Sequence, residues 1–310
     1  AGIDWEQFNK GGVFYYATVK ATNLVGLTKT KTAVGVFIDN SPPEAGNVYF
    51  ADYVDQTLFP VKFQPTIASV NIVWRDFADK ETDISFFEYC ISKERIADVT
   101  KCDADRMPKL YKTEDGDTEE GEWVAEPHNL LVDGETYYAI VRATNGAGNV
   151  ITSVSDGMIP DASPPHVGQT YDNTPDDEVD WTMDYQRFYG EWYNYTDPHN
   201  KIIMNEFKVC ECANDQACPV GWSEVNLTTI ANTSIGLKSG GFYCMHVRVT
   251  NEAKLQSSGI SNGFVVDLTE PDSGKLEAIP DIVTNVSHIN ASWWCDDDES
   301  RIKSFEYAIS

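Results

Sequence analysis

One stretch of this chain occurs three times, and that repeat constrains the fold more than any other feature. Residues 12–46, 134–168 and 240–274 align without a gap. Average residue usage would give roughly 0.1–0.2 triple identities by chance over such a stretch. The copies share nine, which in the first copy are Gly12, Tyr15, Val19, Thr22, Asn23, Gly35, Asp39, Pro43 and Gly46. The chain is therefore a tandem array of one module with a period of roughly 110 residues.

The repeated stretch opens with a strand pattern. In the second copy the alternate positions Tyr137, Ala139, Val141 and Ala143 are apolar. A period of two with one apolar face is typical of a half-buried antiparallel strand. A turn is predicted at residues 145–148, where Asn and Gly supply left-handed conformations, and a further strand leads to Asp161. Since no helical period persists, we expect an all-β fold.

A proline-containing segment closes each copy, at residues 39–43, 161–165 and 267–271. Proline cannot continue a sheet ladder and stiffens the chain, so these segments predict short, semi-rigid module joints. The predicted domains are the C-terminal half of a module at 1–41, complete modules at 42–163 and 164–269, and the N-terminal half of a module at 270–310.

The second half of each module carries a Trp and then an aromatic strand, as in Trp74 followed by residues 87–91. Together with the pattern Leu131-x-x-Gly134-x-x-Tyr137-Tyr138-x-x-Val141-x-Ala143-x-Asn145-x-x-Gly148, this resembles fibronectin type III and related Ig-like domains. The resemblance implies a tandem array of antiparallel β-sandwiches, with Tyr15, Tyr137 and Tyr243 as tyrosine corners at the start of strand F. The joint motif and residues 298–309 also resemble a repeat of very long surface and matrix proteins. The resemblance specifies the fold well and the function poorly.

The cysteines favour disulfides and an oxidising compartment. Zinc is the competing interpretation, but the His partners and paired Cys-x-x-Cys knuckles are missing. We predict that Cys90 bonds Cys102. Because strands C and F are neighbours in the fold that the resemblance implies, we also predict that Cys244 bonds either Cys210 or Cys212 and that Cys218 takes the other. Cys295 then needs a partner in the missing part of its module or on another chain.

N-linked glycans are predicted as well. The Asn-x-Ser/Thr acceptor sequences lie at Asn194, Asn226, Asn232, Asn285 and Asn290. Their number exceeds the chance expectation modestly. Combined with the cysteines, they indicate an extracellular glycoprotein, secreted or on the cell surface.

The charge balance excludes one class of partner. The formal net charge is −26, from 49 acidic and 23 basic residues. Because there is no basic stripe, a nucleic-acid partner is not expected. No uncharged run approaches the length of a membrane span. The acidity fits a soluble surface, cation binding or a salty exterior.

Calcium is the open cofactor question. Asp39, Asp161 and Asp267 lie at the module joints, where a shared calcium ion would stiffen the array. The alternative is that they are ordinary solvated turn residues, and this is the interpretation that the sequence favours. No acidic cluster fits the twelve-residue EF-hand loop, and no other cofactor is indicated.

No enzyme motif occurs, and the five His residues are scattered, so we expect no catalytic site. The leading hypothesis is a structural protein, a segment of a filament, appendage or matrix strand assembled end to end. Each terminal half-module would expose core residues, so it is completed either by more of a longer chain or by other copies docking head to tail. The alternatives are an adhesion or receptor ectodomain that uses the modules as spacers, and accessory modules of an enzyme. The 113–122 insertion is the one candidate binding loop for an adhesin.

Overall fold

The computed structural model describes residues 11–54, 57–99, 102, 111–124, 130–172, 181–225, 230–279 and 290–309. These ranges form strands and contain no α-helix, which confirms the all-β prediction. The chain divides into two compact units, Ala1–Ala162 and Ser163–Ser310. Each unit is described by itself below. The four predicted module boundaries stay predictions.

Unit 1 begins with two small antiparallel sheets, which fall within the partial module predicted at residues 1–41. Its strands are β1 (Val13–Tyr15), β2 (Thr18–Thr22), β3 (Thr28–Thr32) and β4 (Val36–Ile38). β1 pairs with β4, and β2 pairs with β3. The β2–β3 turn is closed by Asn23, whose Oδ1 accepts the backbone N–H groups of Val25 and Leu27. Asn therefore fixes this turn, as the repeat predicted.

A complete sandwich follows in the same unit. Its strands are β5 (Asn47–Val54), β6 (Thr57–Pro60), β7 (Phe63–Gln64), β8 (Ser69–Arg75), β9 (Ile84–Ser92), β10 (Tyr111–Lys112), β11 (Glu120–Val124), β12 (Tyr138–Asn145), β13 (Val150–Val154) and β14 (Ile159–Pro160). One sheet has the order β10-β9-β12-β13 and the other β11-β8-β5-β6, while β7 and β14 form a short parallel pair. The core between the sheets is made mainly by the inward faces of β5, β8, β9 and β12, and it includes Trp74, Tyr89 and Val141. This strand order confirms the Ig-like, fibronectin type III-like sandwich.

Unit 2 contains a second complete sandwich with the same plan. Its strands are β15 (Gln169–Tyr171), β16 (Trp181–Thr182), β17 (Arg187–Tyr193), β18 (Ile202–Glu211), β19 (Val220–Glu224), β20 (Ile230–Ser234), β21 (Phe242–Asn251), β22 (Gln256–Ile260) and β23 (Phe264–Val266). β15, β17 and β20 form one sheet; β21 lies at the centre of the other, paired with β18, β22 and β23. A partial module follows, with β24 (Lys275–Ile279) paired to β25 (Asn290–Trp294).

The tyrosine corner occurs in both complete sandwiches. The hydroxyl oxygen of Tyr137 accepts the Val132 N–H at 2.9 Å, and that of Tyr243 accepts the Lys238 N–H at 3.2 Å. Both rings are buried. A buried Tyr that bonds a backbone group a few residues upstream anchors the approach to strand F. This hydrogen bond explains why the repeat has Tyr at the position of Tyr137 and Tyr243.

The turn after strand F keeps its geometry even where glycine is absent. Gly26 and Gly148 have φ of 88°, and Lys254 at the third position has φ of 66°. A non-glycine residue in this left-handed region is strained by about 1–2 kcal/mol. The departure from the pattern at Lys254 thus affects the stability of the turn and not its shape.

Candidate functional site

The joint between the partial module and the sandwich of unit 1 is built around Asp39. The Oδ1 atom of Asp39 accepts the Ser41 N–H at 3.1 Å and thereby caps the turn into the paired prolines. Its Oδ2 atom accepts hydrogen bonds from the Thr82 hydroxyl and from Asn145 Nδ2, the latter at 2.8 Å. Asp39 belongs to one module by sequence, whereas Thr82 and Asn145 belong to the next. A single carboxylate therefore connects successive modules.

Asn145 is the second component of this joint. Its Nδ2 atom donates to Asp39 Oδ2, to the Ser41 carbonyl at 3.1 Å and to Asp79 Oδ2 at 3.1 Å. Its Oδ1 atom accepts the N–H groups of Ala147 and Asn149, which close the β12–β13 turn. The side chain is buried. Asn145 therefore shapes its own turn and holds the preceding joint at the same time.

Three carboxylates meet at this joint. One oxygen each of Asp39, Asp79 and Glu81 lies within 4.8 Å of the others. Ser41 Oγ donates to Glu81 Oε2 at 2.9 Å, which is a further bond between the joint and the sandwich. Partial burial raises the pKa of Asp79, but hydrogen bonds from the Thr82 N–H, the Asn145 amide and the Glu81 N–H outweigh it, so the net pKa is lowered. We infer that Asp79 stays ionised at neutral pH.

The last joint of the chain, within unit 2, repeats this arrangement. One oxygen each of Asp267, Asp297 and Glu299 lies within 4.8 Å of the others. Thr269 takes the place of Ser41: its N–H donates to Asp267 Oδ1 at 3.0 Å, and its hydroxyl donates to Glu299 Oε2 at 2.7 Å. A hydrogen bond from the Ser300 hydroxyl lowers the pKa of Asp267, as does the Thr269 N–H. The three carboxylates and the hydroxyl residues Ser41 and Thr269 of the two joints therefore correspond.

The middle copy of the motif differs at two positions, and at one of them Asn200 stands where the other copies have Thr82 and Ser300. Asp197 corresponds to Asp79: its Oδ1 accepts the N–H groups of His199 and Asn200, and its Oδ2 accepts Asn251 Nδ2 at 2.9 Å. His199 stands where the other copies have Glu81 and Glu299. Asp161, the equivalent of Asp39, is fully buried. The copy in the middle of the chain therefore has one fewer carboxylate.

Three of the six paired cysteines lie on the strand C–strand F sheets, with Cys90 on β9, Cys210 on β18 and Cys244 on β21, and each bonds a cysteine outside the strands. The structure joins Cys90 to Cys102, Cys210 to Cys218 and Cys212 to Cys244, and leaves Cys295 as the free cysteine of the described residues. Cys90, Cys210 and Cys244 are buried although they point away from the core. Val99 and Cys102 pack against Cys90, and the Asp215 carbonyl lies 3.5 Å from Cys210 Sγ. The alternating sequence pattern predicts that these cysteines face outward, but it does not predict that they are buried there.

The predicted glycan acceptors lie in different environments. Asn194 is exposed in a turn with φ of 61°, and Asn290 is exposed on β25. Asn232 lies on β20, but its side chain is outside the described residues. Asn226 and Asn285 fall outside them altogether. Glycosylation stays a prediction at all five.

A charged pair recurs on the outer face of each complete sandwich. Arg142 contacts Glu88 with an Nη2–Oε2 distance of 2.6 Å, and Arg248 contacts Glu206 with an Nε–Oε2 distance of 2.8 Å. Each pair links directly opposite positions on strands C and F. The ring of Trp222 covers part of the Arg248 side chain, with its centroid 4.2 Å from Arg248 Cζ. This cation–π contact fixes the Arg248 side chain in addition to the ion pair with Glu206. The pair is a fixed element of the module.

The 113–122 insertion is mostly structural. Residues 120–122 belong to β11, which pairs with β8. The preceding acidic turn is tied to the core, because Trp74 Nε1 donates to the Thr118 carbonyl at 2.7 Å. Asp115 caps the turn by accepting the N–H groups of Asp117 and Thr118. These contacts favour a structural role for the insertion over a binding loop.

The sequence singled out the joint aspartates but missed their partners. Asp79, Glu81, Thr82 and Asn145 complete the first joint, and no expectation assigned them to it. A signal was present: residues 79–82 and 297–300 share the pattern Asp-x-Glu-Thr/Ser. The pattern alone does not place these residues at a joint. Their position there depends on a turn that packs against the preceding module, which is a tertiary contact.

The chain was compared with known proteins. No protein-family model matches it, and no curated protein does. Among solved structures it is similar to the FN1–FN3 domains of chicken CNTN1, at 10% identity and a TM-score of 0.40, covering 81% of this chain and 76% of that one. It is also similar to the fibronectin(III)-like modules of Clostridium thermocellum CbhA, at 14% identity and a TM-score of 0.38, covering 71% and 94%. A third similar structure is a Ca²⁺-stabilized adhesin that helps an Antarctic bacterium bind ice, at 13% identity and a TM-score of 0.36, covering 85% and 59%.

Within the ranges that the structure describes, no helix has both the length and the apolar character needed to cross a bilayer.

Proposed function

We propose that this chain is a segment of an extracellular structural glycoprotein whose modules form a stiff tandem array, assembled end to end as a filament, appendage or matrix strand. The joint around Asp39 and Asn145 carries the proposal. A flexible string of modules needs no bonds across its joints, whereas here a buried amide and three carboxylates connect one module to the next. The disulfides support an oxidising, extracellular location.

No catalytic role is proposed. The hydrogen-bonded groups of the joints cap and close turns, and the Arg142–Glu88 and Arg248–Glu206 ion pairs connect neighbouring strands of the sheets. An adhesion or receptor ectodomain is the alternative, in which the same modules act as spacers that present a binding loop. The contacts of the acidic turn before β11 with the core disfavour that loop as a binding site.

Electron microscopy of native material labelled with an antibody against residues 42–162 tests the proposal. We expect the label to recur at regular intervals along fibres or matrix strands. Label confined to isolated stalks on a membrane supports the adhesion or receptor alternative and contradicts the structural one.

Calcium is a second candidate for the joints, on one observation: three carboxylates converge at two equivalent joints. Carboxylate oxygens are the ligands that calcium prefers. The competing interpretation is a joint held by hydrogen bonds alone, in which the Asn145 amide offsets the carboxylate charge.

Thermal unfolding of the full chain in excess EGTA, magnesium or calcium separates these two interpretations. A cation-held joint raises the unfolding temperature with calcium and not with magnesium, and Glu81→Gln removes the part of the increase that the first joint contributes. A joint held by hydrogen bonds shows the same temperature in all three solutions. Glu94→Gln, which changes an exposed carboxylate away from the joint, is the matched control.

A further inference from the structure

The residue that follows the repeated turn asparagine differs among the three copies. The pairs at this position are Asn23–Leu24, Asn145–Gly146 and Asn251–Glu252. The turn therefore forms without glycine there. Gly148 has φ of 88° and needs to be glycine, whereas Gly146 lies outside the left-handed region. The Asn-Gly pair is thus a property of the copy whose asparagine holds the first joint.

An asparagine followed by glycine undergoes a characteristic reaction with its own main chain. The backbone nitrogen of Gly146, once it has lost its proton to solvent, attacks Cγ of Asn145. The Cγ–Nδ2 bond breaks, and Nδ2 leaves as ammonia after taking up a proton from solvent. Water then opens the succinimide and leaves aspartate or isoaspartate at position 145. Glycine favours the attack because it has no Cβ to hinder the approach.

The closed joint holds the attacking nitrogen. The Gly146 N–H donates to the Asp83 carbonyl at 3.2 Å and to the Thr82 carbonyl at 3.4 Å. The nitrogen has to give up this proton before it attacks, so these two hydrogen bonds oppose the first step of the reaction.

The closed joint also holds the group that would be attacked. Asn145 is buried, and its Nδ2 atom donates to Asp39 Oδ2 at 2.8 Å and to Asp79 Oδ2 at 3.1 Å. Its Oδ1 atom accepts two N–H groups of the turn. Because the attack has to move Cγ and release Nδ2, these bonds must break first. The reaction therefore requires local opening of the joint.

The product cannot rebuild the joint. A carboxylate at position 145 has no N–H group to donate, and its oxygen would face the two carboxylates that Nδ2 now contacts. Glu81 belongs to the same group of carboxylates. Like charges at this distance in a partly buried site repel one another. An isoaspartate also lengthens the main chain of the turn, which shifts every later residue of β13.

We propose that Asn145–Gly146 is a self-modification site whose reaction releases the first joint irreversibly. The closed joint protects the pair, each opening lets the succinimide form, and the product prevents the joint from closing again. The joint therefore loosens in one direction as the protein ages. The proposal depends on the contacts of the joint and not on the end-to-end assembly proposed above.

Peptide mapping of the full chain, incubated in water labelled with heavy oxygen, tests the protection. Succinimide hydrolysis adds one solvent oxygen, so the label identifies asparagines modified during the incubation. We expect Asn145 to react at least about 10²-fold more slowly in the folded chain than in urea, since only the open joint reacts. The second Asn-Gly pair, at Asn262 and Gly263, is exposed at its asparagine and provides a reference in the same digest.

Three variants separate the joint from the chemistry. Asp39→Ala removes one acceptor of the Asn145 amide and is expected to accelerate modification of folded Asn145 at least about tenfold. Glu94→Ala, an exposed carboxylate away from the joint, is the matched control, and both variants leave Asn262 within about twofold. Gly146→Ala slows modification of Asn145 at least about tenfold. This last rate is measured in urea, because a Cβ at position 146 would lie 3.2 Å from Thr82 Cβ in the folded chain.

Asn145→Asp reproduces the charge of the product and tests the consequence. We expect hydrogen-exchange protection in residues 138–145 to fall further than for Asn145→Ala, since a carboxylate is added to the joint. Combining it with Asp39→Asn returns an amide to the pair and is expected to restore part of the protection.

Three results overturn the inference: folded Asn145 modified as fast as in urea, no acceleration by Asp39→Ala, or unchanged protection in Asn145→Asp. The labelling of native fibres proposed above is independent of all three.

Discussion

Replacing Asn145 with Ala isolates the contribution of the joint to stability. The substitution removes two hydrogen bonds to carboxylates, at 2.8 Å and 3.1 Å, and two bonds that close a turn. Bonds to charged groups contribute about 1.5–3 kcal/mol each and neutral ones about 0.5–1.5 kcal/mol. Because bonds made by one side chain are not additive, we expect a loss of about 3–5 kcal/mol in the free energy that opens this region.

Asn23→Ala is the matched control. Asn23 makes the corresponding two turn bonds, but it is exposed and has no carboxylate partner among the described residues. We expect its loss to be about 1 kcal/mol. Hydrogen exchange measured by mass spectrometry reports both effects, because protection in residues 138–145 is expected to fall by about 10²–10⁴ for Asn145→Ala. Equal effects of the two substitutions would refute the claim that the joint carboxylates hold the module.

The remaining predictions concern the core, one turn, the joint charges and the covalent bonds. Trp74→Ala is expected to destabilise its module by about 3–5 kcal/mol, as measured by denaturant titration. Lys254→Gly relieves a left-handed conformation and stabilises its module by about 1 kcal/mol, and Gly148→Lys has the opposite sign; a measured loss for Lys254→Gly contradicts the strain argument. The folded-state pKa values of Asp79 and Asp267 are lowered, so the stability that they contribute is present above the unfolded pKa of about 4 and is lost as pH falls through the folded value. Thermal unfolding between pH 7 and pH 3 checks this, and Asp79→Asn is expected to flatten the profile. Peptide mapping under non-reducing conditions is expected to recover Cys90 with Cys102 and a glycan on Asn194, and a free thiol on Cys102 contradicts the first pair.

The sequence was sufficient for the architecture because the module repeats. Three aligned copies separated the fixed positions from the variable ones, and an alternating pattern such as Tyr137, Ala139 and Val141 identifies a strand with one buried face. The tyrosine corner followed from the family resemblance, and the hydrogen bonds of Tyr137 and Tyr243 confirm it. Such alternating patterns recur in every copy because each copy forms the same sheet, in which alternate side chains face the core.

The contacts of the first joint could not be predicted from local sequence patterns. Asp39 was recognisable as a repeated residue, but Asn145 reaches it from more than a hundred positions along the chain. Alternation also failed for Cys210 and Cys244, which point outward and are nevertheless buried. In both cases the outcome depends on loops that pack against another element, and such tertiary contacts have no period along the sequence.

The rigidity of the first joint is the central claim, and a distance measurement across it is the most direct test. Spin labels at Thr30→Cys on β3 and Val150→Cys on β13, with Cys295→Ser, report the separation of the partial module from the sandwich by double electron–electron resonance. We predict a single narrow distance distribution that broadens when Asn145→Ala is added. A broad distribution in the labelled chain without Asn145→Ala would contradict a joint held by Asp39, Asp79 and Asn145.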